Sequence, residues 1–302
     1  MSWSLFDIQR ILDNDPTNAQ FFLHDNDNTP NSIECRQGIP GGSTSPLFAF
    51  VNTSAGDIWI NKIIKEVVNE SIISAVFFDE TDWSLCGYSF NKDGCVNISN
   101  TFRIQDLLAK LPVIRNTAIS LLKANKWPIF SSKNLLNASW NGLPITAQRP
   151  CLIPHDAYFN ILKGLDYGRF YEFWMGRGKD EDAATIENVL LEGAEGVGLI
   201  ARAGADIHSQ CSTTCEEGSV STTSLSYALA AFLIARTSPW SYFGVSSGWY
   251  SPCWCWHDEY DVASNCGSPI EHPIRTSIYS WIRKYENCTV FVNTSSGEGS
   301  FR

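Results

Sequence analysis

The chain has 302 residues, of which 44% are hydrophobic and 18% charged. That is too apolar and too poor in charge for a disordered chain. A formal net charge of -10, with no basic run longer than two residues, argues against nucleic acid or an anionic membrane as partner, because both need clustered Lys and Arg.

In chain order, six apolar runs read as strands: 46–52, 74–80, 127–132, 168–174, 196–202 and 241–247. Continuous apolar character is what a parallel strand buried on both faces requires. Helical periodicity fills the gaps. One helix is expected over 57–69, with Ile58, Ile60, Ile63, Ile64, Val67 and Val68 as its apolar set. Others are expected over 104–124, 182–193 and 223–236. Strands alternating with helices predict βαβ units and a parallel sheet. The tail from Cys288 reads as a strand, a turn and a second strand, a terminal hairpin outside the main fold.

Ten cysteines are present, several of them close together: Cys86 with Cys95, Cys211 with Cys215, and the group Cys253, Cys255 and Cys266. Short spacings suit disulfides in an oxidising compartment. Free buried thiols are one alternative. Zinc held by Cys253, Cys255, His257 and His272 is another, but the C-x-C spacing and the lack of a second knuckle count against it, so no metal is expected. Asn-x-Ser/Thr sequons begin at Asn52, Asn69, Asn97, Asn137, Asn287 and Asn293, a mild excess that fits the same compartment. The first ten residues, MSWSLFDIQR, have neither the basic start nor the apolar stretch of a signal peptide. The apolar run 229–235 falls far short of the ~18 residues of a membrane span. A secreted character without a leader implies either a cytosolic chain with free thiols or a missing amino-terminal part.

Function in parallel α/β folds gathers at the carboxyl ends of the strands. Asp79 and Glu80 end the second apolar run, and Trp83 follows. A carboxylate on a rigid strand end is a candidate catalytic or binding group, and a helix-capping acid is the plainer alternative. Glu172 sits among Phe170, Tyr171, Phe173 and Trp174. Such apolar surroundings raise a carboxyl pKa toward the value a general acid needs; an ion pair with Arg169 or Arg177 is the alternative. Glycoside hydrolysis uses two carboxyl groups, and Asp79 with Glu172 would supply them. Arg202 ends a strand and can bind a hydroxyl or a carboxylate, or simply pair with Glu172. Trp249, Tyr250, Trp254 and Trp256 crowd a Gly/Pro/Ser-rich segment that Tyr260 follows. Their faces suit the C–H faces of sugar rings, or simply pack in a disulfide-pinned loop. The glycines of 193–198 precede a strand instead of following one, so no dinucleotide loop is read there and no cofactor is expected.

These segments carry a resemblance. Residues 48–64 (FAFVNTSAGDIWINKII) and the strand end FFDETDW resemble a glycosyl-hydrolase-like family of TIM-barrel proteins, of the glycoside hydrolase-like family fifteen type. So do 186–196, 229–235, 242–249, Glu259-Tyr260-Asp261 with Gly267-Ser268-Pro269, and the closing 291–299. The resemblance implies an α/β (β/α)8 TIM-barrel-like fold. Only six units are found, so the first two strands are expected to be lacking, with a barrel over 1–286 and a β-hairpin over 287–302. Aligned with the family, Asp79 and Glu172 fall on its strand-four and strand-six acids. The chain departs from the family at Ile73-Ser-Ala-Val and at Val262-Ala-Ser-Asn-Cys.

The implied function is a secreted glycoside hydrolase acting on a glycan by two-carboxylate chemistry. Asp79, Glu172 and Glu80 are its candidate catalytic residues. Trp83, Trp174, Arg202, Trp249, Trp254, Trp256 and Tyr260 are its candidate substrate contacts. A non-catalytic carbohydrate-binding barrel and a truncated, inactive homologue are the alternatives.

Overall fold

Helices and strands alternate through the middle of the chain, as the apolar runs predict. The computed structural model describes residues 36–39, 43–46, 53–78, 100–132, 155–171, 174–176, 178–203, 222–237, 240–245 and 256–302. The chain divides into two units, Met1–Pro128 with Ala138–Leu165, and Ile129–Asn137 with Asp166–Arg302.

In the first unit, β1 (Arg36–Ile39) and β2 (Ser43–Pro46) pair antiparallel, with Gln37 opposite Ser45. The strand expected over 46–52 therefore meets β2 at Pro46; its remaining residues lie outside the described ones. Next comes a long helical stretch: α1 (Thr53–Ile58), a π-helical segment (Trp59–Ile64) and α2 (Lys65–Asn69). Strand β3 (Ala75–Phe78), helix α3 (Asn100–Lys123) and helix α4 (His155–Leu162) follow. Helix α3 buries Leu111, Ile114, Ala118 and Leu121, the three-and-four spacing of one helix face. Leu121 packs with Ile64, Val68, Val76 and Phe78. Lys126 is buried, and its ammonium donates to the Ile73 carbonyl at 2.7 Å and to the Glu70 carbonyl. It thus supplies donors where α2 has run out of them.

The second unit holds the remaining elements. They are β4 (Trp127–Ser132, which begins in the first unit), β5 (Gly168–Tyr171), α5 (Lys179–Ala194), β6 (Gly198–Ala203), α6 (Thr222–Ala235), β7 (Ser241–Val245) and α7 (Asp258–Asn265). Four short strands close the chain: β8 (Ile274–Ser277), β9 (Ser280–Lys284), β10 (Thr289–Asn293) and β11 (Glu298–Phe301). Within this unit the strands run β4-β5-β6-β7, each pair in parallel register. This is the expected α/β alternation among the described residues.

Helix α6 is the centre of the unit. Every residue from Tyr227 to Ala235 is buried, as expected of a helix that is apolar all round. It shares one core with Ala183, Ile186 and Val189 of α5, Leu199, Ala201 and Ala203 of β6, and Trp281, Val290 and Val292 of the terminal strands. Its last carbonyls are capped from β9. The Arg283 guanidinium donates to the Leu233 and Ile234 carbonyls, both at 3.1 Å, and to that of Arg236. The Tyr285 hydroxyl donates to the Leu233 carbonyl at 2.7 Å.

The terminal strands form an antiparallel sheet of order β11-β10-β9-β8. The segment read as a hairpin from Cys288 is half of that sheet, which begins at Ile274. Gly299 of β11 lies so close to α6 that an added Cβ would stand 2.6 Å from the Tyr227 Cα. Only glycine permits that approach. A disulfide joins Cys266, just after α7, to Cys288, just before β10. Cys266 thus pairs forward and not with the neighbouring Cys253 and Cys255, because the α7 end and the β9–β10 turn are brought together: the Asn287 amide donates to the Cys266 carbonyl at 3.0 Å. No described helix is long and apolar enough to cross a membrane.

Candidate active site

The site is built from the carboxyl ends of β5, β6 and β7. The registers set two faces. Arg169 and Tyr171 of β5 lie beside Leu199 and Ala201 of β6, on the helix-packed side. Phe170, Ile200 and Tyr242 share the other side by register, as do Arg202 and Gly244. Tyr242 is 53% exposed, so this second face keeps an open portion at β7.

Beyond β5 the backbone takes an uncommon path. Met175, Gly176 and Gly178 all have positive φ, at 63°, 90° and 126°. For the non-glycine Met175 this costs on the order of 1–3 kcal/mol and persists only where the surroundings enforce it. Those surroundings are visible. The Trp174 amide donates to the Arg202 carbonyl at 3.0 Å, and its indole donates to the Ala228 carbonyl at 2.9 Å. The indole also meets the Tyr171 ring edge-on, with centroids 5.6 Å apart. The Gly176 amide donates to the Asp182 carboxylate at 3.0 Å, and the Tyr227 hydroxyl donates to the same oxygen at 2.7 Å. Burial, then the charge of Asp182 and the hydrogen bond to it, push the Tyr227 hydroxyl pKa far above its ordinary value. Tyr227 therefore stays a donor at any working pH.

Beyond β7 an aromatic chain reaches from core to solvent. Phe232 of α6 meets Phe243 at 5.4 Å, Phe243 meets Tyr260 at 6.1 Å, and Tyr260 meets Trp256 at 5.2 Å. His257 also stands edge-on to Tyr260, at 5.5 Å. The Tyr260 hydroxyl pKa is raised by burial, opposed by a hydrogen bond to the Val245 main chain and reinforced by the Glu259 charge. That bond brings α7 to the carboxyl end of β7. Trp256 is 72% exposed, with its indole donating to Asp261 at 3.2 Å. An exposed indole steadied from beneath is a rigid flat surface.

Of the candidate catalytic and substrate-contact residues named from the sequence, Trp174, Arg202, Trp256 and Tyr260 are described, and all four belong to this end of the sheet. Trp174 is 1% exposed and anchors the loop. Asp79, Glu80, Trp83, Glu172, Trp249 and Trp254 lie outside the described residues. Asp79 is the residue after Phe78, where β3 ends; Glu172 is the residue after Tyr171, where β5 ends. Arg169, one suggested partner of Glu172, forms a buried ion pair with Glu192 of α5 at 3.2 Å. The sequence reading missed Asp182 and Tyr227. The only local sign was Gly176-Arg-Gly178 ahead of an acidic helix start.

A family model described as hypothetical glycosyl hydrolase family 15 matches residues 9–289. The chain belongs to that family. The match takes in β3 to β9 with both rim segments and ends on the first residue of β10. No curated protein matches the chain. For a member of a glycosyl hydrolase family, the strand-end rim and its exposed indole are where a carbohydrate would be sought.

Proposed function

We propose that the chain hydrolyses a glycosidic bond with two carboxyl groups at the carboxyl ends of the strands of a (β/α) barrel. Glu172 acts as one and Asp79 as the other, with Glu80 beside Asp79. One carboxyl protonates the leaving oxygen, and the other attacks the sugar or activates water. Tyr171 and Ala201 are registered partners, and Glu172 and Arg202 are the next residue in each strand's sequence. The proposal therefore pairs them, so that Arg202 holds Glu172 or a substrate hydroxyl. Trp256 and Tyr260, with Trp83, Trp249 and Trp254, bind the glycan through ring faces; Trp174 serves the same rim as an anchor. The Cys266–Cys288 disulfide suits a secreted protein.

The observation that carries this reading is the enforced backbone at Met175 and Gly176, a few residues past the end of the strand that precedes Glu172 in sequence. Strain of this kind concentrates at functional sites. The test is release of reducing sugar from a polysaccharide panel by the wild type, Glu172→Gln and Asp79→Asn. Each substitution is expected to slow hydrolysis by ~10²–10⁴-fold, the range for loss of general acid–base help. Wild-type rates in both variants would remove these residues from the chemistry. The 72% exposure of Trp256 also fits a non-catalytic glycan-binding protein. That reading requires binding that survives both substitutions and is lost in Trp256→Ala.

A further inference from the structure

We propose that Asp182 is the positioning residue of this rim: one of its carboxylate oxygens fixes the backbone that leads away from Glu172. The inference rests on the reading of Glu172 as a catalytic group and extends it to a residue 10 positions downstream.

Asp182 lies in the first turn of α5 and is 3% exposed. A carboxylate withdrawn from water is costly to keep and is retained only where hydrogen bonds compensate it. Helix capping does not require the cost, because Asp180 and Glu181 share the same first turn in less buried positions. Asp182 binds backward and sideways at once. Its Oδ2 accepts the Gly176 amide at 3.0 Å and the Tyr227 hydroxyl at 2.7 Å.

The Gly176 amide meets that oxygen where Met175 and Gly176 hold positive φ. The Trp174 amide and indole, bonded to the carbonyls of Arg202 and Ala228, fix the near side of the same turn. Trp174 and Gly176 are therefore tied to β6, α6 and α5. Tyr227 is itself pinned where Gly299 abuts its Cα. Asp180 adds a second tie at this helix start, accepting the Tyr279 hydroxyl at 2.8 Å. Removing the Asp182 carboxylate releases the Gly176 amide and takes this acceptor from the Tyr227 hydroxyl. The adjoining carboxyl group then loses its placement while substrate contacts elsewhere on the rim remain.

The test uses the full chain as wild type, Asp182→Ala, the near-isosteric Asp182→Asn, Tyr227→Phe and Glu172→Gln. Hydrogen exchange is followed at 174–178 and, as reference, in β9 and β10. In Asp182→Ala, exchange at 174–178 is expected to rise at least ~10-fold with the reference strands unchanged. Local opening is distinct in this way from global unfolding. On a hydrolysed glycan, kcat should fall ~10²-fold with KM within about threefold of wild type, the signature of a misplaced group at an intact binding surface. Asp182→Asn and Tyr227→Phe should fall between. Wild-type exchange at 174–178 in Asp182→Ala overturns the proposal. So does a rise shared equally by β9 and β10, in Asp182→Ala or in the milder Asp182→Asn, since that marks a general stability role. Wild-type hydrolysis by Glu172→Gln would overturn the reading of Glu172 instead, and exchange at 174–178 would still decide whether Asp182 fixes the turn.

Discussion

Replacing both Cys266 and Cys288 by Ala tests what the disulfide contributes. The bridge spans 22 positions. Closing a loop of that size removes about 11 cal/mol/K from the unfolded chain, which is about 3 kcal/mol at 25 °C. Cys266 is also buried, so losing its sulfur adds a small packing cost. A loss of about 3 kcal/mol lowers the melting temperature by roughly 6–12 °C in a unit of 150–250 residues. The assay is urea unfolding of the double variant beside the wild type, both without reductant, because reductant would open the wild-type bridge as well. The midpoint should fall and the slope rise slightly as the unfolded chain loses its tether. A loss under about 1 kcal/mol would refute the reasoning. It would mean that the main-chain bonds around Asn287 already hold the α7 end against the β9–β10 turn without the covalent link.

Two further outcomes follow from the packing around α6. Tyr227 and Tyr285 have pKa values raised chiefly by burial, with Arg283 and Arg236 drawing Tyr285 partly back. Their stabilisation is therefore complete below pH 10 and is lost above it, as the unfolded tyrosines ionise and the folded ones do not. Each costs about 1.4 kcal/mol per pH unit there. Urea midpoints from pH 8 to 11 should show the decline, and Tyr227→Phe should make it shallower. Arg283→Ala leaves the Leu233 and Ile234 carbonyls buried without that donor and should cost about 2–4 kcal/mol. Arg283→Lys should recover part of this, because one ammonium cannot reproduce the fork. An unchanged denaturation midpoint in Arg283→Ala would show that the cap is dispensable.

Much of the α/β pattern was legible because parallel strands buried on both faces leave unbroken apolar runs. The run 127–132 coincides with β4, and the helices expected over 104–124 and 223–236 differ from α3 and α6 by a few residues. Strands β8 and β9 escaped notice. Ile274-Arg-Thr-Ser is exposed along its whole length, and Ser280-Trp-Ile-Arg-Lys buries an arginine among its inward residues. Neither has an apolar signature. Pairing of Cys266 with Cys288 was equally hidden, since spacing favoured Cys253 and Cys255 while strand geometry decided otherwise. At the rim, Arg202, Trp256 and Tyr260 could be named from strand ends and aromatic crowding. Composition could not tell an exposed indole such as Trp256 from a buried one such as Trp174. Asp182 read only as a helix start because its partner Tyr227 is 45 residues away.

The terminal sheet settles where this chain tolerates interruption. A chain stopped at 286 would end between β9 and β10 and lose the second of two strands paired over five registers. It would also strip β11 from α6 at Gly299 and open to water a helix that has no polar side from Tyr227 to Ala235. Such a product would carry an aggregation-prone apolar surface and an unpaired strand edge. The last sixteen residues are therefore no appendage. A premature stop there should be read out as loss of soluble protein, with the rim chemistry failing only as a consequence.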